Sequence, residues 1–290
     1  MSDKNSYRNF CKEHEKIPIF SQAFWLNEVA ENWDVILEQN KNNEIIAALP
    51  FCWKGNFITQ RIYLPFLNFY QSILFFNVDE KHQQEIAERL FNKLPRTIKS
   101  YFKFLPEYDN IQLNTLGFSK ENYSTYIIQK NEQLQLSNNH KRNVKKGIER
   151  NYQIKESKNL KQTYEMLVST FIRQKIKSKI SFEAFQKIQT SIKQHQCCKI
   201  VDCLDNENNI LASVFILSDN QTVYYMLGGY ETKYKNSGAM TFLLHHLIKE
   251  TLDKNKTFNF CGSSNKNIAH FFEGFGATKT SINIWKKSIL

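Results

Sequence analysis

A chain of 290 residues with 41% hydrophobic side chains, 23 Phe and 13 Tyr among them, has ample material for packed interiors. That composition excludes collagen, solenoid repeats and long disordered stretches, and at about 100 to 200 residues per domain the length predicts two domains. The net charge of +11 invites a nucleic-acid reading, but 32 of the 39 basic residues are Lys, set among 30 Asn; AT-rich codons favour that pair whatever the function, and base or phosphate recognition draws more on Arg.

The first half reads as alternating strand and helix. Trp33–Glu38 and Glu44–Trp53 are β-rich runs joined by the polar turn 39–43, a hairpin signature, and Phe57–Leu64 is a third strand candidate. A helix over Glu80–Leu94, with Ile86, Leu90 and Phe91 at helical spacing, closes at Pro95. Strands follow at Ser100–Leu105 and Tyr123–Gln129, separated by the turn Gly117-Phe118-Ser119.

The second half is longer. A basic helix over Leu134–Arg150 leads to a strand at Tyr152–Glu156, helices near 159–176 and 181–196, and strands at Lys199–Cys203, Ile210–Leu217 and Val223–Gly228. Then come a helix from Gly238 to Asp253, a strand at Thr257–Cys261, a short helix at Ile268–Glu273 and a strand at Ser281–Trp285. Both halves finish with a helix, a Gly-Phe turn and an aromatic strand. This faint repeat predicts a mixed α/β (α+β) fold of two related domains, 1–129 and 130–290.

Charge divides along the same line. Residues 1–129 hold 14 basic and 15 acidic side chains, residues 130–290 hold 25 and 13, and 130–199 alone hold 16 and five. The densest run is His140-Lys141-Arg142-Asn143-Val144-Lys145-Lys146. On a helix Arg142 and Lys145 share a broad basic face with Lys141 and Lys146. That face suits a phosphate or carboxylate, or is simply a solvated surface.

Met1–Lys16 is polar and no apolar run approaches the ~20 residues of a membrane span, so no export signal and no span are expected. Six cysteines without a CxxC pair fit reduced thiols in a cytoplasm, and no His/Cys spacing suggests a metal.

The stretch Tyr224–Gly238, YYMLGGYETKYKNSG, runs from an apolar strand through Gly228-Gly229 into a loop and a helix start. Free N–H groups and the positive end of a helix there can hold a pyrophosphate, with Lys235 adjacent; a plain glycine turn is the other reading. The segment Phe258–Ala277, FNFCGSSNKNIAHFFEGFGA, resembles the closing segment of the Fem-type (FemAB/FemX-like) tandem branch of the GNAT N-acyltransferase superfamily. LSNNHKRNVKKGIER resembles the helix that opens the second domain in those proteins, and IFSQAFWLNEVAENWDVILEQNKNNEIIAALPF resembles the start of bacterial members.

The resemblance implies two GNAT-like domains, each a mixed central sheet flanked by helices, with an acyl-CoA donor, acetyl-CoA foremost, lodged between two splayed parallel strands of the second. The backbone of Leu227, Gly228 and Gly229 would bond the pantetheine arm, and Lys235, Asn236, Ser237, Gly238 and Ala239 would cradle the pyrophosphate. GNAT enzymes commonly show Gln/Arg-x-x-Gly-x-Gly/Ala; here Lys235-x-x-Gly238-x-Met240 keeps only the first Gly. Glu231 and His270 are the candidate bases, and Phe271 or Phe272 stands where many such enzymes carry a Tyr acid. Cys261 reads as a core thiol or a nucleophile without a partner.

Three functions are compatible with this reading. The first is an N-acyltransferase moving an acyl group from acyl-CoA to an amine of a sugar, amino acid or peptide, with Arg142 and Lys145 recognising the acceptor. The second is a Fem-type transferase using aminoacyl-tRNA, and the third a non-catalytic binding module of the same fold.

Overall fold

The computed structural model describes residues 3–173, 181–192, 195–262 and 265–289. The chain forms two compact units, Met1–Ser124 with Ser281–Leu290, and Thr125–Thr280. The expected division was at 129/130 with everything after it in the second domain; here the last ten residues belong to the first unit.

Unit 1 begins with two helices that the sequence reading did not anticipate, α1 (Asp3–Glu13) and α2 (Ala23–Val29). The hairpin is present as β1 (Asn32–Gln39) and β2 (Ile45–Lys54), with Trp33 opposite Cys52 and Leu37 opposite Ala48. Period-two burial of Trp33, Val35 and Leu37 sets the register. The turn closes because the Asn40 side chain accepts from the N–H groups of Asn42 and Glu44.

The expected strand over Phe57–Leu64 shrinks to β3 (Arg61–Ile62), because Asn56 folds residues 56–59 into a tight turn. A short β4 (Leu74–Phe75) pairs with β2. Next come α3 (Glu80–Asn92), whose Ile86, Ala87, Leu90 and Phe91 are buried at helical spacing, and β5 (Lys99–Lys103). The 119–124 part of β6 (Ser119–Ile128) follows. Residues 284–288 of β12 (Thr278–Ser288) return to pair antiparallel with β5, which puts Trp285 at the centre of an aromatic core with Phe102, Phe104 and Phe118.

Unit 2 is one sheet in the order β6, β11 (Thr257–Asn259), β10 (Thr222–Tyr230), β9 (Ile210–Ser218), β8 (Cys198–Leu204), β7 (Gln153–Glu156). Central β9 is buried at eight consecutive positions, so it reads as an unbroken apolar run rather than an alternating one. Its helices are α4 (Asn138–Glu149), α5 (Leu160–Arg173), α6 (Phe182–Ile192), α7 (Ala239–Asp253) and α8 (Lys266–Glu273). Ser137 caps α4 by accepting from the His140 N–H. The expected helices over 159–176 and 181–196 extend into 174–180 and 193–194, which lie outside the described residues, as does Ser263.

Candidate functional site

The site grows from a fork between two parallel strands of unit 2. β10 and β11 run together for three pairs, Thr222 with Thr257, Val223 with Phe258 and Tyr224 with Asn259, and there β11 ends. The Asn259 carboxamide holds this point. Its Oδ1 accepts from the Thr125 hydroxyl at 2.6 Å and from the Cys261 N–H at 2.8 Å. Cys261 and Gly262 then take left-handed backbone, φ 56° and 70°, which turns the chain out of the strand direction. β10 continues alone past the fork with a register shift against β9 between Tyr225 and Leu227.

Two glycines on that free stretch are there for room. A Cβ on Gly229 would lie 2.2 Å from the Met166 carbonyl oxygen of α5, and one on Gly228 would lie 2.0 Å from the Tyr225 hydroxyl. Thr170 of α5 donates to the Gly228 carbonyl at 2.9 Å. Tyr225 is wedged edge-on against Phe272 and tilted against Phe260, and burial pushes its phenol pKa up, so it stays protonated at neutral pH.

Beyond the fork the chain enters α7 through Gly238, at φ 82°. A side chain there would meet strained backbone and the Asn143 carbonyl at 3.2 Å. The approach loop is clamped from α4 and just beyond it: Lys146 donates to the Asn236 carbonyl at 2.6 Å and Tyr152 to the Ser237 carbonyl at 3.2 Å. Ser237 Oγ accepts from the Ala239 N–H, and the N–H groups of a first helical turn have no partner within the helix, an arrangement suited to an anion.

The fork and this helix start border one cleft of about 620 Å³. Of the expected donor residues, Gly228 and the run Lys235, Asn236, Ser237, Gly238 and Ala239 line it; Leu227 and Gly229 flank Gly228 on β10. The other expected residues do not line it. Glu231 follows β10 and pairs with Lys233 at 2.9 Å; His270 is 90% exposed and faces Glu273 at 3.8 Å. Arg142 and Lys145 are exposed, Lys145 pairing with Glu149 of its own helix. They lie about 100° and 200° round α4 from Asn143.

The lining instead includes groups the sequence reading passed over: Asn139 and Asn143 of α4, Thr170, Tyr225, Tyr230, Tyr234, and Asn265 and Asn267 at the start of α8. The four-residue spacing of Asn139 and Asn143 was the available signal, hidden by the abundance of Asn. Among the described lining residues Lys235 carries the one formal charge, and the groups able to move a proton are it and the three tyrosines. Among the described residues no group of three or more His, Cys, Asp or Glu is placed to hold a metal ion, and no helix is long and apolar enough to cross a membrane.

Residues 136–267, which span α4, the fork and the start of α8, match the family model described as an acetyltransferase (GNAT) domain. Over those residues the chain is similar to the GNAT superfamily. Its fold is that of Fem-like tandem members. The structure of FemX superposes with a TM-score of 0.68 at 11% identity, covering 98% of this chain and 96% of FemX. The C-terminal domain of a protein described as a lysylphosphatidylglycerol synthetase from Agrobacterium fabrum gives 0.60 at 8% identity, covering 99% of this chain and 93% of that one. A tandem GNAT protein from the clavulanic acid biosynthesis pathway gives 0.50 at 8%, covering 93% and 87%. No curated protein matches the chain significantly in sequence. The match to a domain described as an acetyltransferase supports acyl transfer as the class of chemistry of unit 2. Unit 2 thus joins a strand fork and a helix start in a cleft lined by uncharged amides and phenols, where the carboxylate of Glu231 and the imidazole of His270 were expected.

Proposed function

We propose that the chain is an N-acyltransferase that moves an acyl group from an acyl-CoA thioester to an amine on a sugar, amino acid or peptide, using the cleft of unit 2. The observation that carries this reading is the opening of β10 from β11 directly into the start of α7. Strand edge and helix end together match the two halves of such a donor, an amide-bearing arm and a pyrophosphate. The edge of β10 at Leu227–Gly229, where Thr170 holds the Gly228 carbonyl, offers its remaining backbone groups to the arm, and the turn Lys235–Ala239 offers N–H groups and a cation to the phosphates.

In the transfer the amine attacks the thioester carbonyl, the C–N bond forms and the C–S bond breaks. One proton leaves nitrogen and one arrives on sulfur. Glu231 and His270 do not line the cleft, and this proton traffic falls to Tyr225, whose hydroxyl rests against Gly228 at the fork. A protonated phenol supplies the thiolate and recovers its proton from the nitrogen. On the α4 side, a small acceptor inside the cleft meets the amides of Asn139 and Asn143 rather than Arg142 and Lys145. This favours an uncharged, hydroxyl- or amide-bearing acceptor.

The exposed cations of α4 support a second reading, a donor carried on tRNA. Lys141, Arg142 and Lys145 stand outside the cleft on the helix whose asparagines line it, where a polyanion can lie. Thermal-shift titration against acetyl-CoA, longer acyl-CoAs, free CoA and tRNA separates the two. The first reading expects stabilisation by CoA thioesters that Arg142→Ala with Lys145→Ala leaves intact. Submicromolar tRNA binding at physiological salt, lost in that double variant, with no response to CoA, makes the second reading the correct one.

A further inference from the structure

The most exposed apolar side chains of unit 1 sit together on one built turn. Between β2 and β3, Phe57 is 98% exposed and Ile58 79% exposed. The turn that presents them is rigid by construction. Asn56 Oδ1 accepts from the N–H groups of Ile58 and Thr59 and from the Thr59 hydroxyl, and Gly55, at φ 96°, leaves no space for a Cβ, which would lie 2.6 Å from the Thr59 carbonyl oxygen. Two adjacent large apolar residues held in water by such a turn call for a surface that covers them.

The charge beside the turn says which surface. Lys54 is the register partner of Arg61, and Arg61 of Lys99, so three cations stand side by side across β2, β3 and β5. The preceding row, Trp53 with Ile62, turns inward. Like charges on neighbouring strands oppose one another unless something anionic answers them. Glu31, 3.5 Å from Lys54, answers one. The segments that build this edge contain no Asp or Glu over residues 45–78, 89–106 and 281–290, although residues 1–129 as a whole are slightly acidic.

We propose that this edge of unit 1 docks on an anionic lipid bilayer, with Phe57 and Ile58 entering the interfacial layer and Lys54, Arg61 and Lys99 meeting the headgroups. An apolar tip backed by a row of cations is the chemistry of peripheral membrane attachment, in which each signal alone is weak and the two together hold. The inference is independent of the acyl donor.

Co-sedimentation of the full chain with vesicles of pure phosphatidylcholine and of phosphatidylcholine containing phosphatidylglycerol tests it. Binding is expected to the anionic vesicles alone. Phe57→Ser with Ile58→Ser should weaken it at least tenfold, and Arg61→Ala or Lys99→Ala about fivefold each. Phe57→Trp should show blue-shifted emission on anionic vesicles, which reports insertion directly. Equal partitioning of wild type and tip variant, no anionic preference, or a tip variant that changes the oligomeric state in sedimentation equilibrium instead, would each overturn the proposal.

Discussion

Each unit sets a strand, a helix and a second strand in chain order, β2, α3 and β5 in unit 1, with β3 and β4 before the helix, and β10, α7 and β11 in unit 2, and the two treat the space between the outer strands in opposite ways. In unit 1 the chain between β2 and α3 fills it. Gln71, 3% exposed, accepts from the Cys52 N–H of β2 and donates to the Tyr101 carbonyl of β5, both at 2.8 Å, so one side-chain amide ties the two strands. In unit 2 the strands part after three pairs, and just beyond the fork Cys261 Sγ meets Met226 Sδ at 3.9 Å, a contact that ties neither backbone. The helix starts differ as well: Asp79 and Glu80 open α3, whereas α7 opens on Gly238 and Ala239 behind Lys235. The frame alone is no site; what occupies the gap and what charge heads the helix decide whether it can take an anionic donor.

The strongest way to break this contrast is to cut the tie in unit 1. Gln71→Leu strands a buried N–H and a buried carbonyl, and should cost about 2–4 kcal/mol in urea unfolding while leaving CoA affinity unchanged. Ser237→Asp works on the other unit. It keeps an oxygen for the Ala239 N–H, so the melting temperature should hold, but its charge should weaken CoA binding by about 30- to 100-fold in calorimetric titration. A fall in stability with unchanged affinity would remove the phosphate turn from the reading.

Tyr225→Phe keeps the ring between Phe260 and Phe272 and removes only the hydroxyl. It should lower kcat about tenfold with little change in donor KM, measured by thiol release. The smallest effect concerns how α4 is seated. Burial lowers the pKa of His140, whose ring lies against Phe275 and takes a 2.9 Å hydrogen bond with Ser137. The unfolded chain therefore binds a proton there first. The share of stability that His140 carries should be full above about pH 6.5 and decline as pH falls toward the lowered folded value, by no more than about 1.4 kcal/mol per pH unit. His245, lowered by burial too, adds to the slope, so His140→Gln should flatten it in part.

The sequence made the frame legible because periodicity and capping are local. The alternation in Trp33–Leu37, the spacing of Ile86, Leu90 and Phe91, and the glycine at 238 each predict their element from a few neighbours. What escaped depends on partners far along the chain. Gln71 looks like any polar loop residue until Cys52 and Tyr101 arrive on either side of it. In the site, basic residues drew attention to Arg142 and Lys145, yet helix geometry turned Asn139 and Asn143 to the cleft. His270 has the right chemistry on the wrong face of a two-turn helix, whose cleft side is taken by Asn267, Ile268, Phe271 and Phe272.

The return of residues 281–290 to unit 1 has a bearing on synthesis. Trp285 fills the core between Phe102 and Phe104, and it leaves the ribosome after every residue of unit 2. Unit 1 is translated first but its core is completed last, with β5 lacking its β12 neighbour for the time it takes to make about 180 more residues, roughly 10 to 40 seconds at about 5 to 20 residues per second. Unit 2, contiguous from Thr125 to Thr280, is free of that wait. Unit 2 can therefore complete its core before unit 1 does, and the nascent protein carries an unfinished sheet edge through most of its own manufacture.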